Sequence, residues 1–345
     1  MTVVNAIKFN DHSGAMVCDE QASWGAMSRK GDVADKIQNI IPDTIQRQYG
    51  IAAAYGGSGT SAIAEEIKIA IHAMLNERYK KLLDRPGRMP ESFMTIQEIA
   101  AASFEKVAEL KRRHIDELLS QKYGFTGRDF IRGYYERDGK RIDISQKEIA
   151  DKALDAMTWR TKTENQGLYV NRGILAGYDP GEGFRIFVIN LRSFSCEPVQ
   201  AIFSSIGSGQ DTSDLVFSQF AGLKTVHERM CDIDPVEAMV AIIDATNTAS
   251  RNNVGIGGYF NLMLFDGSKT DHLARRWEIS DNRARLASEV VAAHRHGLVT
   301  RKTTHDIITD IVFAEKSFDQ VDRLLRKRVS DWRHLCRFFR GYKVD

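Results

Sequence analysis

Met1-Thr-Val-Val-Asn-Ala-Ile-Lys-Phe9, Ala15-Met-Val-Cys-Asp-Glu-Gln-Ala-Ser23 and Lys30-Gly-Asp-Val-Ala-Asp-Lys-Ile37 are the stretches on which the reading of this chain turns. Residues 2–9 are rich in Val and Ile, with Val3, Asn5, Ile7 and Phe9 on one face. Residues 15–18 form a second short apolar run, and the polar stretch 10–14 separates the two. Two strand-like runs around such a turn read as a hairpin. The hairpin carries Asp19, at the end of its second strand, back to the start of its first. Lys36 follows another turn, in a segment expected to be a third strand.

Thr2 is small enough for removal of Met1 to be expected. Threonine then carries a free α-amine beside its own hydroxyl. Such an amine has a pKa of about 7.7–8.0, so part of it is neutral at physiological pH and can take the hydroxyl proton. A carboxylate to orient the amine and a cation to lower the hydroxyl pKa complete the chemistry. Asp19 and Lys36 are the candidates; Lys30 is the alternative cation, disfavoured by its place in a turn. On spacing alone, a mature chain that merely begins with Thr, and two solvated charges, stand as the alternative.

Residues 18–25 and 30–33 resemble a phrase of proteasome β-type subunits and of the bacterial proteasome-related peptidase HslV: Gly/Cys-Asp-x-Gln-Ala-Ser/Thr-x-Gly, then Lys-Gly-Asn/Asp-Val. The resemblance implies Thr2 as nucleophile, supported by Asp19 and Lys36. It implies an α+β fold, the four-layer αββα sandwich of the N-terminal-nucleophile (Ntn) hydrolases, with added helices. This chain has one extra residue between Thr2 and Asp19 and another before Lys36.

Composition sets the bounds. The 345 residues are enough for one large or two ordinary domains. A hydrophobic content of 43% with 27% charged residues is that of a soluble globular protein, and no apolar run reaches membrane-spanning length. With no secretory leader pattern either, a cytoplasmic location is expected. The four cysteines, Cys18, Cys196, Cys231 and Cys336, have no paired spacing and read as reduced thiols. The histidines, of which His294 and His296 lie closest together, form no ligand motif, so neither metal nor cofactor is expected. A net charge of +2 gives no global nucleic-acid signal.

Farther along, Gly56-Gly-Ser-Gly-Thr60 opens a helical pattern through Ile63, Ile67, Ile71 and Leu75. A glycine-rich strand-to-helix junction is either a tight turn or a cradle for an anion or oxyanion. The resemblance implies the second, with the Gly59 N–H as oxyanion donor. Thr95-Ile-Gln-Glu98 is a capping box that starts a second helix. Residues 120–168 are charged, with interleaved aromatics, and read as a helical insertion, with a helix over 145–157. Gly173-Ile-Leu-Ala-Gly-Tyr-Asp179, Pro180-Gly-Glu-Gly183 and the run 184–189 form a hairpin, and the first phrase is again proteasome-like. Gly207-Ser-Gly209 reads as a turn; the resemblance implies that Ser208 lies beside Thr2. Asp234-Pro-Val-Glu237 starts another helix. In the phrase 251–258 the family's supporting Asp and Ser are Asn253 and Ile256, and a final strand is expected over 259–265.

Helices are expected over 280–296 and 304–328. The last 23 residues are basic with interleaved aromatics, and docking onto a neighbouring subunit is the expected use, ahead of nucleic acid. The division expected is a catalytic domain over 2–279 and a basic helical extension over 280–345. The functional expectation is a threonine-type peptidase or amidohydrolase acting on a peptide or protein, in a homo-oligomeric ring that an ATPase could feed. A catalytically weak scaffold and an Ntn-type peptide ligase are the alternatives.

Overall fold

The computed structural model describes the chain except for residues 1, 25–28, 32–34, 60, 86–89, 145–149, 152, 154–171, 192, 259 and 340–345. The expected helix over 145–157 falls largely on residues outside this description.

Two antiparallel five-stranded sheets stack face to face. The first contains β1 (Val3–Lys8), β2 (Ser13–Asp19), β12 (Phe203–Gly207), β13 (Phe260–Asp266) and β14 (Arg276–Ile279), in the order β12-β1-β2-β13-β14. The second contains β5 (Ile37–Asn39), β6 (Ala52–Ser58), β9 (Arg172–Asp179), β10 (Gly183–Asn190) and β11 (Ser195–Pro198), in the order β11-β10-β9-β6-β5. The expected N-terminal hairpin forms, with Val4 opposite Cys18 and Lys8 opposite Gly14. Short ribbons β3 (Ala22–Trp24) with β4 (Arg29–Gly31), and β7 (Tyr134–Arg137) with β8 (Lys140–Asp143), stand apart from the two sheets.

Alternation along the strands makes the layers, because successive side chains leave opposite faces of a sheet. Val4, Ala6, Met16 and Cys18 point between the sheets and meet Ile174, Ala176 and Phe184. Ile7, Ala15 and Val17 point outward onto a helical layer built from α5 (Gln210–Gly222), α7 (Pro235–Asn252) and α8 (Asp281–Arg295). On the other outer face, Ala53, Tyr55 and Leu175 meet α2 (Ser61–Leu83) and α3 (Ile96–Tyr123). The result is the αββα sandwich.

The local start signals operate as expected. Thr95 and Glu98 form a reciprocal capping box at α3. Asp234 accepts the Glu237 N–H at 2.8 Å, with Pro235 opening α7. Short elements escaped the periodicity: α1 (Asp43–Tyr49), α4 (Gly127–Arg132) and α6 (Val226–Cys231).

Three expectations need correction. Lys36 precedes β5 by one residue instead of lying within a strand. The strand expected to be final is followed by β14, which pairs with it. The single helix expected over 304–328 is α9 (Arg301–Ile308), running into a π-helical turn at Thr309–Phe313, and then α10 (Phe318–Arg328). Glu315, between them, is in the left-handed region at φ 47°. A further helix, α11 (Trp332–Phe338), buries Leu335 in the cluster that also holds Val321, Leu325 and the apolar face of α7.

Cys18 is buried among the inter-sheet apolar residues, and burial pushes its thiol pKa far up, so it packs as a small apolar group. Cys196 and Cys336 are also free. No group of metal-ligating side chains occurs among the described residues, and no described helix is long and apolar enough to cross a membrane.

Candidate active site

Strand pairing brings together residues distant in the chain at one end of the sandwich. The start of β1 lies beside the end of β12, with Val3 opposite Gly207. The start of β13 lies beside the end of β2, with Phe260 opposite Asp19. Thr2 therefore sits among the 207–209 turn, Asp19 and the segment that links α7 to β13.

The Thr2 backbone nitrogen donates to Ser208 Oγ at 3.1 Å. Ser208 Oγ in turn donates to Thr2 O at 3.4 Å, and the Gly209 N–H reaches the same carbonyl at 3.3 Å. Gly207 allows this approach. Its φ is +95°, and a Cβ there would come within 2.1 Å of Thr2 O. The same Cβ would lie 3.5 Å from the Cβ of Ser58, so the β6–α2 junction lies across from Thr2. Gly59 follows Ser58, at φ +126°.

Asp19 is the anchor of the site. Its side chain is fully buried and its two oxygens serve different partners. Oδ1 accepts the Val3 N–H at 2.9 Å and lies 2.8 Å from Lys36 Nζ. Oδ2 accepts the Gly257 N–H at 3.2 Å. Burial raises the Asp19 pKa from its ordinary value, against the pull of Lys36 and the two N–H donors. Lys36 Nζ also donates to the Gln21 carbonyl at 2.9 Å, and the Lys36 carbonyl accepts the Gly57 N–H at 3.1 Å. The ammonium is thus held between Asp19 and the Gln21 carbonyl, and the Lys36 backbone is tied to β6.

Asn253 acts on Ser208, with Nδ2 donating to the Ser208 carbonyl at 3.1 Å. Ile256 is buried in an apolar cluster with Val3 and Ala249. A Cβ on Gly209 would fall 2.6 Å from Ile256 Cδ1, so this isoleucine closes the floor under the 207–209 turn.

Thr2, Asp19, Lys36, Ser208 and Asn253 thus share one region, and Gly59 borders it. Two contributors were not singled out in the sequence, Gln21 and Gly257. Both act through backbone atoms, to which residue type is nearly blind. Their one signal was membership of the phrases 18–25 and 251–258. Two neighbouring acids were also missed. Burial and repulsion from Asp281, Asp35 and Glu278 push Glu20 up to about 7. Burial and Glu278 push Asp35 up to about 6.

The layer order and sheet topology define the fold class as the four-layer αββα sandwich of the Ntn-hydrolase, proteasome-like type. Among solved structures, the chain is similar to Anbu (ancestral beta-subunit) from Yersinia bercovieri, at a TM-score of 0.50 and 13% sequence identity, covering 86% of this chain and 92% of that one. Likeness at that identity concerns the fold. No protein-family model matches the chain. No curated protein matches it either.

Proposed function

We propose that this chain is a threonine-type Ntn hydrolase that cleaves peptide or related amide bonds after removal of Met1. The observation that carries the reading is the double clamp on Asp19, which fixes the start of β1 and the Lys36 ammonium with one buried carboxylate. A buried ion pair is weak evidence for stability, and a fold that keeps one beside the hydroxyl residue Thr2 invites a chemical explanation.

Each group has a role. The Thr2 hydroxyl proton passes to the Thr2 amine as Oγ attacks the substrate carbonyl carbon. The oxyanion that forms is met by the Gly59 N–H. The ammonium of Thr2 returns the proton to the leaving nitrogen, the C–N bond breaks, and an ester to Thr2 remains. Water attacks that ester and frees the acid; a competing amine would instead make a new amide. The Lys36 side chain favours the Thr2 alkoxide, Asp19 holds Lys36, and Ser208 orients the amine. A homo-oligomeric ring, a cytoplasmic setting and an ATPase that delivers substrate belong to the same reading.

A catalytically weak scaffold is the second reading. It is favoured by Ile256, which puts an apolar side chain where the resemblance implies a serine.

Intact mass separates the two, measured before and after an α′,β′-epoxyketone, which needs both a hydroxyl and a free amine on one residue. Loss of Met1 with a single adduct, absent in Lys36→Ala, is expected. Retained Met1, or no adduct on a processed chain, would move the reading to the scaffold. An adduct that persists undiminished in Lys36→Ala would remove Lys36 from the mechanism.

A further inference from the structure

A cleft of about 870 Å³ opens among the C-terminal half of α7, α8 and α11. It is separate from the groups assigned to acyl transfer. Arg251 enters it from α7, His296 from the end of α8, and Arg333 and Arg337 from α11. Its volume falls within the range of ligand sites in general.

Its charge is unbalanced in a specific way. Arg333 and Arg337 are four residues apart, so they share one face of α11 and repel each other. Both are exposed, and neither forms an ion pair among the described residues. Arg251 Nη1 lies 3.0 Å from His296 Nε2. Arginine has no acceptor, so this imidazole nitrogen accepts and carries no proton. The imidazole ring packs on Phe338 at 5.3 Å between centroids. Three guanidinium groups from two helices thus line one concavity that has an aromatic side.

We propose that this cleft binds an acidic peptide segment, whose carboxylates take the forked donors of Arg251, Arg333 and Arg337. Guanidinium matches carboxylate and phosphate geometry equally well. The rest of the lining decides between them. Asp331 and Glu289 also face the cleft. Asp331 Oδ1 already accepts the His334 N–H at 2.9 Å. The charge of the two acids opposes a compact, multiply charged phosphate more than it opposes a peptide, whose carboxylates are spaced apart along an extended chain. Arg251 is two residues from Asn253, which holds the Ser208 carbonyl. A bound segment therefore lies against the helix end that walls the Thr2 site. The binding claim stands whether or not Thr2 is a nucleophile.

Fluorescence anisotropy with labelled hexaglutamate tests it, on the full chain and on Thr2→Ala, which cannot cleave the probe. Hexaglutamate is expected to bind both forms, and hexaglutamine neither. The double variant Arg333→Gln/Arg337→Gln should weaken binding about tenfold, and Arg251→Gln, on a different helix, should weaken it independently. Arg132→Gln/Arg141→Gln removes the same charge from the opposite side of the molecule and should change nothing. Equal weakening by that control, no binding of hexaglutamate, or full binding to both cleft variants would overturn the proposal. So would displacement of the probe by inorganic pyrophosphate at lower concentration than by unlabelled hexaglutamate, which would make the cleft a phosphate site. Thermal melts of each variant identify any loss of binding that comes from unfolding, and in that case Arg251→Gln decides.

Discussion

Asn253 shows how one atom sets the meaning of a substitution. Its Nδ2 donates to the Ser208 carbonyl, and Ser208 holds Thr2. The proteasome-like phrase has an aspartate here, so restoring the acid would look like a repair. The geometry argues otherwise, because an ionised aspartate only accepts and would set a charged oxygen against that carbonyl. Losing the bond and adding repulsion costs about 1–3 kcal/mol. Asn253→Asp is therefore expected to lower kcat/KM on a peptide substrate by roughly tenfold or more, and to slow adduct formation at Thr2 in parallel. A faster enzyme would mean that the site wants a carboxylate and that the 207–209 turn can rearrange to use it.

At the scale of elements, Asp179 ties a hairpin to a helix. It ends β9 and is buried. Oδ1 accepts the Gly181 and Glu182 N–H groups of the β9–β10 turn, both at 2.8 Å. Oδ2 accepts the Ile96 N–H at 2.8 Å, at the first residue of α3. One carboxylate therefore satisfies a tight turn and one of the orphan donors of a helix start. Asp179→Ala would leave three donors without their acceptor, and a loss of about 3 kcal/mol or more is expected in urea unfolding. Thr95→Ala, which removes only the local cap of the same helix, should cost about 1 kcal/mol. Equal losses would mean that water replaces Asp179 at the turn. The contrast also marks what was legible. The cap was visible because its partners are three residues apart; the Asp179 contact spans 83 residues and has no local signature.

Over the whole molecule, the carboxylates around the site come from separate segments: Glu20 after β2, Asp35 before β5, Glu278 on β14 and Asp281 at the start of α8. Folding gathers them, and burial with mutual repulsion lifts Glu20 to about 7 and Asp35 to about 6. Their unfolded values are about 4.3 and 3.9. The native state therefore binds more protons than the unfolded chain between those limits. The contribution is full below the unfolded values and is lost as pH rises through about 6 and then 7. His305 works the other way, since burial lowers its pKa and favours folding at higher pH. Two carboxyl groups against one imidazole leave a net effect, so Tm is expected to rise as pH falls from about 8 to about 5.5. Glu20→Gln should remove most of that rise. A Tm that falls over this interval in the unaltered protein would show that these acids stay ionised when folded.

Strand and helix types over most of the chain followed from the sequence alone, because period-2 and period-3.6 patterns and cap residues are local consequences of backbone geometry. So did the N-terminal hairpin, which carries Asp19 back toward Thr2. Lys36 was a candidate from the residues themselves, but preferring it to a solvated lysine, and nominating Ser208 and Asn253, needed the family resemblance, since no local rule distinguishes a lysine beside an aspartate from one in solvent. Only the tertiary structure decided that Gln21 and Gly257 serve the site through backbone atoms and that Asn253 acts through a carbonyl. It alone also placed Ile256 on the apolar floor below the 207–209 turn, and Glu20 and Asp35 in a shared acidic neighbourhood. Each of these depends on which strand lies beside which, and that is set by burying two sheets and two helical layers together. A linear pattern carries the period of each strand, but the contacts across the sandwich exist only once it closes.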